Sequence, residues 1–343
     1  MINTLSICST CYKRIPANII VREGAAYIKK VCPNHGETEA LIDPDASLII
    51  NNYNTTTEGI NKAILVPITD KCNLSCKWCY TEGVKTEEKT AEYYNNILVD
   101  LKLQGYAFLL SGGEPTVRKD FHSFCNELHI NGWPIVTMSN MVAFADESFM
   151  KECFNVGLLN GTTLGVDFSM QHPSNYSGEI VAKKYHALAN LEKFGVKANC
   201  IQFSIASFDE LEFIREFYDD TKNLYHHIRV RTLFGLWKDK SKKIYLSQLI
   251  DRFKDIFGDL TPVKCAWPES SNIYSIYMRM GLTSISLSSS PTIDNIDLQS
   301  ARRPTLALAL DEKYYSVPVA HIVSEGIQNG WYNGYRLEKK QCD

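Results

Sequence analysis

Between residues 63 and 257 the sequence alternates, six times over, a short apolar run with a longer amphipathic segment, and this rhythm restricts the fold more than any other feature. The runs Ala63–Ile68, Tyr106–Leu110, Pro134–Met138, Thr163–Ser169, Lys197–Ser204 and Ile228–Leu233 predict strands. Segments near 89–104, 119–131, 146–155, 178–194, 207–220 and 245–257 predict the helices between them. Strands that are apolar on both faces and spaced by helices imply an α/β fold with a covered parallel sheet. Six such units predict a partial (β/α)6, TIM-like barrel, whose reactive edge is at the C-terminal ends of its strands.

Residues 1–58 lack a helical pattern and read as a small knuckle-and-hairpin module: a Cys8-x2-Cys11 turn, the β-rich Ala25-Ala26-Tyr27-Ile28, then Cys32-Pro33-Asn34-His35-Gly36. The polar stretch Asn51–Thr57 reads as a linker. We therefore expect a module at 1–58, the barrel at 59–262 and a mixed C-terminal extension at 263–343 that caps the barrel and selects substrate. Serine-rich Ser284–Ser290 breaks the βα rhythm within that extension.

The chain has 11 cysteines among 343 residues, and six of them fall into two tight groups. Cys8, Cys11, Cys32 and His35 form two ligand pairs about twenty residues apart, a Cys3His set suited to tetrahedral zinc or rubredoxin-like iron. A module this small buries little core, so a metal would supply much of its folding free energy. The second group, Cys72-x3-Cys76-x2-Cys79, follows the first barrel strand directly, with Tyr80 after it. Short cysteine spacings of this kind fit an iron–sulfur cluster. Chance placement at three set positions amounts to roughly 0.01 occurrences per chain at this cysteine content. Three protein ligands leave one iron of a cubane open to a small molecule, which is the pattern of catalytic rather than structural metal sites. Ser111-Gly112-Gly113-Glu114-Pro115 ends the second strand at the same edge; its glycines admit close backbone approach, and its carboxylate suits an ammonium group.

With these two motifs the sequence resembles the radical S-adenosylmethionine (SAM) superfamily over about residues 60–235. The resemblance implies a [4Fe-4S] cluster on Cys72, Cys76 and Cys79 and a glycine-rich motif, Gly112, Gly113 and Glu114, that holds the methionine amino group of SAM. It further implies reductive cleavage of SAM to a 5′-deoxyadenosyl radical that abstracts hydrogen from a substrate. Ser139 and Asn140, ending the third strand, and Asp167, in the fourth, are placed to reach SAM or to cap the next helices. The Cys-x-x-Cys and Cys-Pro-x-His-Gly module ahead of the radical SAM motif resembles the subgroup of methanogen pterin methylases and archaeal tetraether lipid synthases. That subgroup implies alkylation or carbon–carbon bond formation at unactivated carbons. The chain lacks the lipid synthases' many further cysteines, so it follows the subgroup's architecture more than its substrates.

Other candidates carry less. Gln202, Arg229 and Arg231 lie on the fifth and sixth strands, where an inward arginine requires an anionic partner. Arg302-Arg303, His321, Tyr314 and Tyr315 read as surface or as the mouth of the site. His226-His227 is discounted as a metal pair because neighbours on a strand face opposite ways. Cys125, Cys153, Cys200 and Cys265 read as core residues and Cys342 as an exposed thiol, so no auxiliary-cluster motif is visible. A net charge of −3 argues against nucleic acid. No apolar run approaches the ~18 residues of a membrane span, and the first residues lack a signal-peptide pattern, so a cytoplasmic location is expected. The expected partners are a small-molecule substrate and an external electron donor such as flavodoxin or ferredoxin. The competing readings are a radical SAM maturase of a peptide or protein, and a zinc-ribbon or iron–sulfur binding or electron-transfer protein without SAM chemistry.

Overall fold

A computed structural model describes residues 1–11, 13–53, 62–76, 79, 86–159, 164–233, 243–258, 260–262, 274–289, 291–298, 305–308 and 314–316. Four strands open the chain, β1 (Ile2–Ile7), β2 (Arg14–Arg22), β3 (Ala25–Cys32) and β4 (Gly36–Asp43), and pair in order as an antiparallel meander. Helix α1 (Ala46–Tyr53) closes the small sheet, burying Ala46 and Ile49 against Ala17, Ile19, Ala26, Ile28 and Ile42. Asp45 starts it, its Oδ1 accepting from the amides of Ser47 at 2.8 Å and Leu48 at 3.3 Å. Residues 51–53, expected in a linker, are thus the last turn of a helix, and 54–61 lie outside the described residues.

The βα units follow as β5 (Ala63–Thr69), α2 (Ala91–Ile97), α3 (Val99–Leu103), β6 (Ala107–Gly112), α4 (Phe121–Ile130), β7 (Ile135–Ser139), α5 (Glu147–Asn155), β8 (Leu164–Ser169), α6 (Gly178–Lys193), β9 (Ala198–Ile205), α7 (Glu210–Thr221), β10 (Tyr225–Thr232) and α8 (Leu246–Phe257). All six expected strands and all six helical stretches are present, with the first helix broken at Leu98 into α2 and α3. Strands β5 to β10 lie side by side in chain order and all run parallel. Their outer faces meet the helices in one core; α8 contributes Leu246, Leu249, Ile250, Phe253 and Phe257, the i, i+3, i+4 stripe of an amphipathic helix.

The described pieces of the C-terminal segment are sheet edges. Beyond β10 come β13 (Thr283–Ser288), parallel to it, then β12 (Ser275–Met280) and the two-residue β11 (Thr261–Pro262), both antiparallel to their neighbours. At the opposite edge β14 (Thr305–Leu308) pairs parallel with β5, and β15 (Tyr314–Ser316) pairs antiparallel with β14. The result is an 11-stranded open sheet in which no strand pairing closes a barrel among the described residues. Serines 284, 286 and 288 alternate with Ile285 and Leu287, which is the period of a strand rather than of a loop.

The meander also meets this late segment. Ser6 Oγ donates to the Ile296 carbonyl at 2.6 Å and the Leu298 amide to the Leu5 carbonyl at 2.8 Å, while the Thr4 hydroxyl bonds the Asp297 carboxylate. The buried Lys30 ammonium donates to the carbonyls of Ile7 at 2.9 Å and Ile293 at 3.0 Å. Among the described residues no helix is long and apolar enough to cross a membrane.

Candidate active site

At the C-terminal ends of β5 to β10 the inner face of the sheet forms a half-open cleft. Cys72, Cys76 and Cys79 line one side, in the loop after β5. Gly112, Gly113 and Glu114, after β6, line the adjoining wall, with Ser139, Asn140 and Asp167 beside them. Every described residue singled out for the cluster and for SAM therefore borders one cleft; Tyr80 lies outside the described residues, as do Arg302, Arg303, His321, Cys265 and Cys342.

The glycine motif and the cysteine loop are laced together by their backbones. Gly113 N donates to the Thr69 carbonyl and Glu114 N to the Lys71 carbonyl, each at 2.8 Å. Gly112 takes φ +118°, and a Cβ on Gly112 would strike the Thr69 carbonyl oxygen. A Cβ on Gly113 would strike the Lys71 carbonyl. The two glycines thus serve the approach of one loop to another before any ligand is considered.

Glu114 is buried and its carboxylate is already well supplied. Oε1 accepts from Thr116 N at 3.2 Å, Thr116 Oγ1 at 2.7 Å and Ser139 Oγ at 2.9 Å; Oε2 accepts from Asn140 N at 2.6 Å. Burial pushes its carboxyl above the ordinary range, and these donors pull it back. Each carboxylate oxygen offers about two acceptor sites, so Oε2, with the Asn140 amide as its one donor, has room for another from the cleft. Ser139 and Asn140 spend their polar groups on Glu114 and, for the Asn140 side chain, on Asn73 Oδ1 at 2.7 Å.

Deeper in the cleft Asp167 Oδ2 meets Arg229 Nη1 at 3.4 Å, and the same nitrogen reaches Gln202 Oε1 at 3.2 Å. This supplies the anionic partner that an inward arginine needs. Arg231, two residues on and so on the same face of β10 as Arg229, lines the cleft itself. His226 is exposed and His227 is buried between Ser284 and Ser286, at 2.7 and 2.8 Å, so the pair holds no common metal.

Lys184 of α6 was not singled out from the sequence. Its ammonium is fully buried, donating to the carbonyls of Asn140 at 2.8 Å and Ser169 at 2.7 Å, with the Tyr176 ring 4.7 Å away. The signal was available: 184 belongs to the apolar stripe of Ile180, Ala187, Leu188 and Leu191, where a lysine is out of pattern. Burial lowers its pKa from 10.5 to about 8, with Cys76 and Glu114 opposing the shift. Below about pH 8 both folded and unfolded chains hold this proton, so stability is insensitive to it. From about 8 to 10.5 only the unfolded chain holds it, so its contribution to stability rises with pH. The difference in unfolding free energy between apoprotein and Lys184→Met, followed from pH 7 to 10.5, is expected to show that rise and to flatten beyond it.

The Cys72 and Cys76 thiols are pushed up by burial, Cys76 to about 11, so these two are protonated at neutral pH in the apoprotein. At Cys8 in the meander the balance is reversed: burial raises the thiol, yet amide hydrogen bonds from Cys11 and Thr10 outweigh it and bring it to about 6. There Cys11 Sγ and Cys32 Sγ stand 3.8 Å apart, and His35 Nδ1 lies 3.6 Å from Cys8 Sγ and 3.4 Å from Cys32 Sγ. A tetrahedral zinc with its usual bond lengths needs about 3.8 Å between sulfurs and about 3.6 Å between sulfur and nitrogen. All four ligand atoms lie within 4.8 Å of one another, so these residues fit a closed metal site. A variant with Cys72, Cys76 and Cys79 all changed to alanine is expected to retain one metal per chain. Adding Cys32→Ser should remove that metal and the hydrogen-exchange protection of β1 to β4 together.

Comparison with known proteins agrees with this anatomy. Residues 66–204 match the radical SAM superfamily and residues 2–44 match the HMPTM N-terminal zinc ribbon domain. Residues 66–204 thus carry a radical SAM domain, and that superfamily implies a [4Fe-4S] cluster and SAM. The zinc ribbon ahead of that domain agrees with the resemblance to the subgroup anticipated from the two motif sets. The 7,8-dihydro-6-hydroxymethylpterin dimethyltransferase of Methanocaldococcus jannaschii is 27% identical over 191 residues, covering 45% of this chain and 37% of that protein. An S-adenosylmethionine-dependent nucleotide dehydratase of Selenomonas ruminantium is 31% identical over 75 residues, 21% of this chain and 27% of that protein. The chain thus matches well under half the length of these curated relatives. Among solved structures, Streptococcus suis SuiB bound to precursor peptide SuiA aligns with TM-score 0.44 and 17% identity over 58% of this chain and 46% of that one, too slight a likeness for any functional statement.

Proposed function

We propose that this enzyme cleaves SAM reductively and abstracts hydrogen from a small polar molecule, in a methylation or carbon–carbon bond-forming step of a biosynthetic pathway. The observation that carries the proposal is the shared cleft: three cysteines of one loop and the glycine motif of the next open onto the same space, and Gln202, Ser204 and Arg231 line its far wall. That wall offers amide, hydroxyl and guanidinium groups, which suit a heteroatom-rich substrate. Two relatives named for acting on a pterin and on a nucleotide support the same class.

In this reading Cys72, Cys76 and Cys79 hold the cluster, and the backbone at Gly112 and Gly113, with the remaining acceptor site of Glu114, receives the amino group of SAM. When bound and reduced by a flavodoxin or ferredoxin, the cluster supplies the electron that splits SAM into methionine and the 5′-deoxyadenosyl radical. The parallel sheet and its helices exclude water from that radical, and the Asp167–Arg229–Gln202 group holds the cleft floor in shape. Zinc or iron in the ribbon completes the N-terminal fold.

Anaerobic incubation with dithionite, SAM and deuterated 7,8-dihydro-6-hydroxymethylpterin or nucleotides tests the proposal. Deuterium in 5′-deoxyadenosine identifies the substrate. A protein with an intact cluster that yields no 5′-deoxyadenosine with any of them would point to electron transfer instead.

A further inference from the structure

Asn140 lies where a contact to SAM is expected from sequence, yet its polar groups are engaged elsewhere. Its N–H donates to Glu114 Oε2 at 2.6 Å, and its carbonyl accepts from Lys184 Nζ at 2.8 Å. Its side-chain oxygen accepts from Val142 N at 3.0 Å, and its side-chain nitrogen donates to Asn73 Oδ1 at 2.7 Å. Asn73 is the residue after Cys72, inside the cysteine loop.

We propose that Asn140 is a positioning residue for the cluster: it latches the cysteine loop to β7 through Asn73, and so orders the loop to receive and retain iron and sulfide. The proposal rests on the radical SAM reading of the cleft. Within the loop the Leu74 amide meets Cys72 Sγ at 3.4 Å and the Cys79 amide meets the Cys76 carbonyl at 3.0 Å, bonds that tie the loop to itself. The Asn73–Asn140 bond ties it to the sheet.

The corner that presents Asn140 is stiff. Met141 takes φ +75°, the left-handed region, and is fully buried. A residue with a side chain stays there only where its surroundings over-determine it. They do: Met141 N donates to Ser139 Oγ at 3.1 Å and the Phe144 amide donates to the Met141 carbonyl at 3.0 Å. Behind the corner, the fully buried Lys184 ammonium bridges the ends of β7 and β8 through the Asn140 and Ser169 carbonyls. A fixed corner transmits its position to the loop it holds, which is how supporting residues order metal ligands.

A double-mutant cycle on the full-length, cluster-reconstituted protein tests this, using Asn73→Ala, Asn140→Ala and the pair. The readouts are the rate at which a ferrous chelator bleaches the cluster and the affinity of the loaded fraction for SAM. Asn73→Ala, a change on the loop itself, leaves the barrel packing untouched. Each single variant is expected to lose its cluster about fivefold faster, the scale of one net hydrogen bond, and the double variant no faster than the faster single. SAM affinity of the loaded Asn73→Ala fraction should equal that of the wild type. Multiplicative bleaching rates in the double variant would overturn the latch, as would unchanged bleaching with SAM affinity lost in Asn140→Ala alone. A wild-type cluster that forms yet ignores SAM overturns the radical SAM reading instead, while the cycle still reports on the latch.

Discussion

Cys76→Ala is expected to abolish 5′-deoxyadenosine formation altogether, while leaving the ribbon metal at one per chain. Cys76 is a partly buried thiol raised to about 11, so in the apoprotein it is neutral and packs quietly in the cleft. In the proposed reading, removing it strips one of three protein ligands from the cluster and leaves two irons rather than one without a protein donor, and a cubane held by two thiolates does not retain its composition. Because the thiol is uncharged at neutral pH without iron, the substitution should lower the apoprotein's stability by no more than about 1–2 kcal/mol. Iron and sulfide analysis alongside product assay separates the two effects. Full activity in this variant would show that the cleft cysteines do not carry the cluster.

Gly113→Ala is expected to be nearly as severe and for a different reason. Its Cβ would strike backbone rather than a flexible side chain, at the carbonyl of Lys71. The loop from Thr69 to Cys72 must then move, breaking the amide bonds that Gly113 and Glu114 make to it. Overpacking against fixed backbone costs roughly 1–3 kcal/mol, and two lost hydrogen bonds add about 1 kcal/mol each. We expect a clear fall in Tm together with loss of cluster retention and SAM binding. Gly178→Ala, at the first residue of α6 with open space around it, is the matched control and should be neutral or slightly stabilising. Equal behaviour of the two variants would remove the steric argument.

The elements that the sequence made legible are those with one dominant signal. Strands β5 to β10 stand out because most of their residues are buried, with helices packed in one core against their outer face. Helix α1 did not, since its two buried residues, Ala46 and Ile49, give too short a stripe before Asn51 and Asn52. Strand β13 was hidden for a related reason: Ser284 and Ser286 face His227 rather than a greasy core. At the site, the cysteine and glycine motifs were read directly. What escaped was the support around them, Asn73, Thr116 and Lys184, because each contacts a partner distant in the chain or is ordinary in its own segment. Lys184 alone left a trace, as a charge in an apolar stripe. That Arg229 and Arg231 share a face follows from strand period and needed no coordinates.

Two strand edges, β5 in the large sheet and β1 in the meander, have a consequence for how the chain matures on the ribosome. Strand β5 is made early, but its outer neighbour β14 is made late, and β1 likewise waits for residues 296–298. Until then a growing polypeptide shows two open strand borders, one beside the future cluster loop, each able to pair with another nascent chain. Non-local pairings of this kind are slow to close. Slow translation up to residue 308, or truncation before residue 296, would therefore favour aggregates in which foreign strands occupy the places kept for β14 and the 296–298 segment.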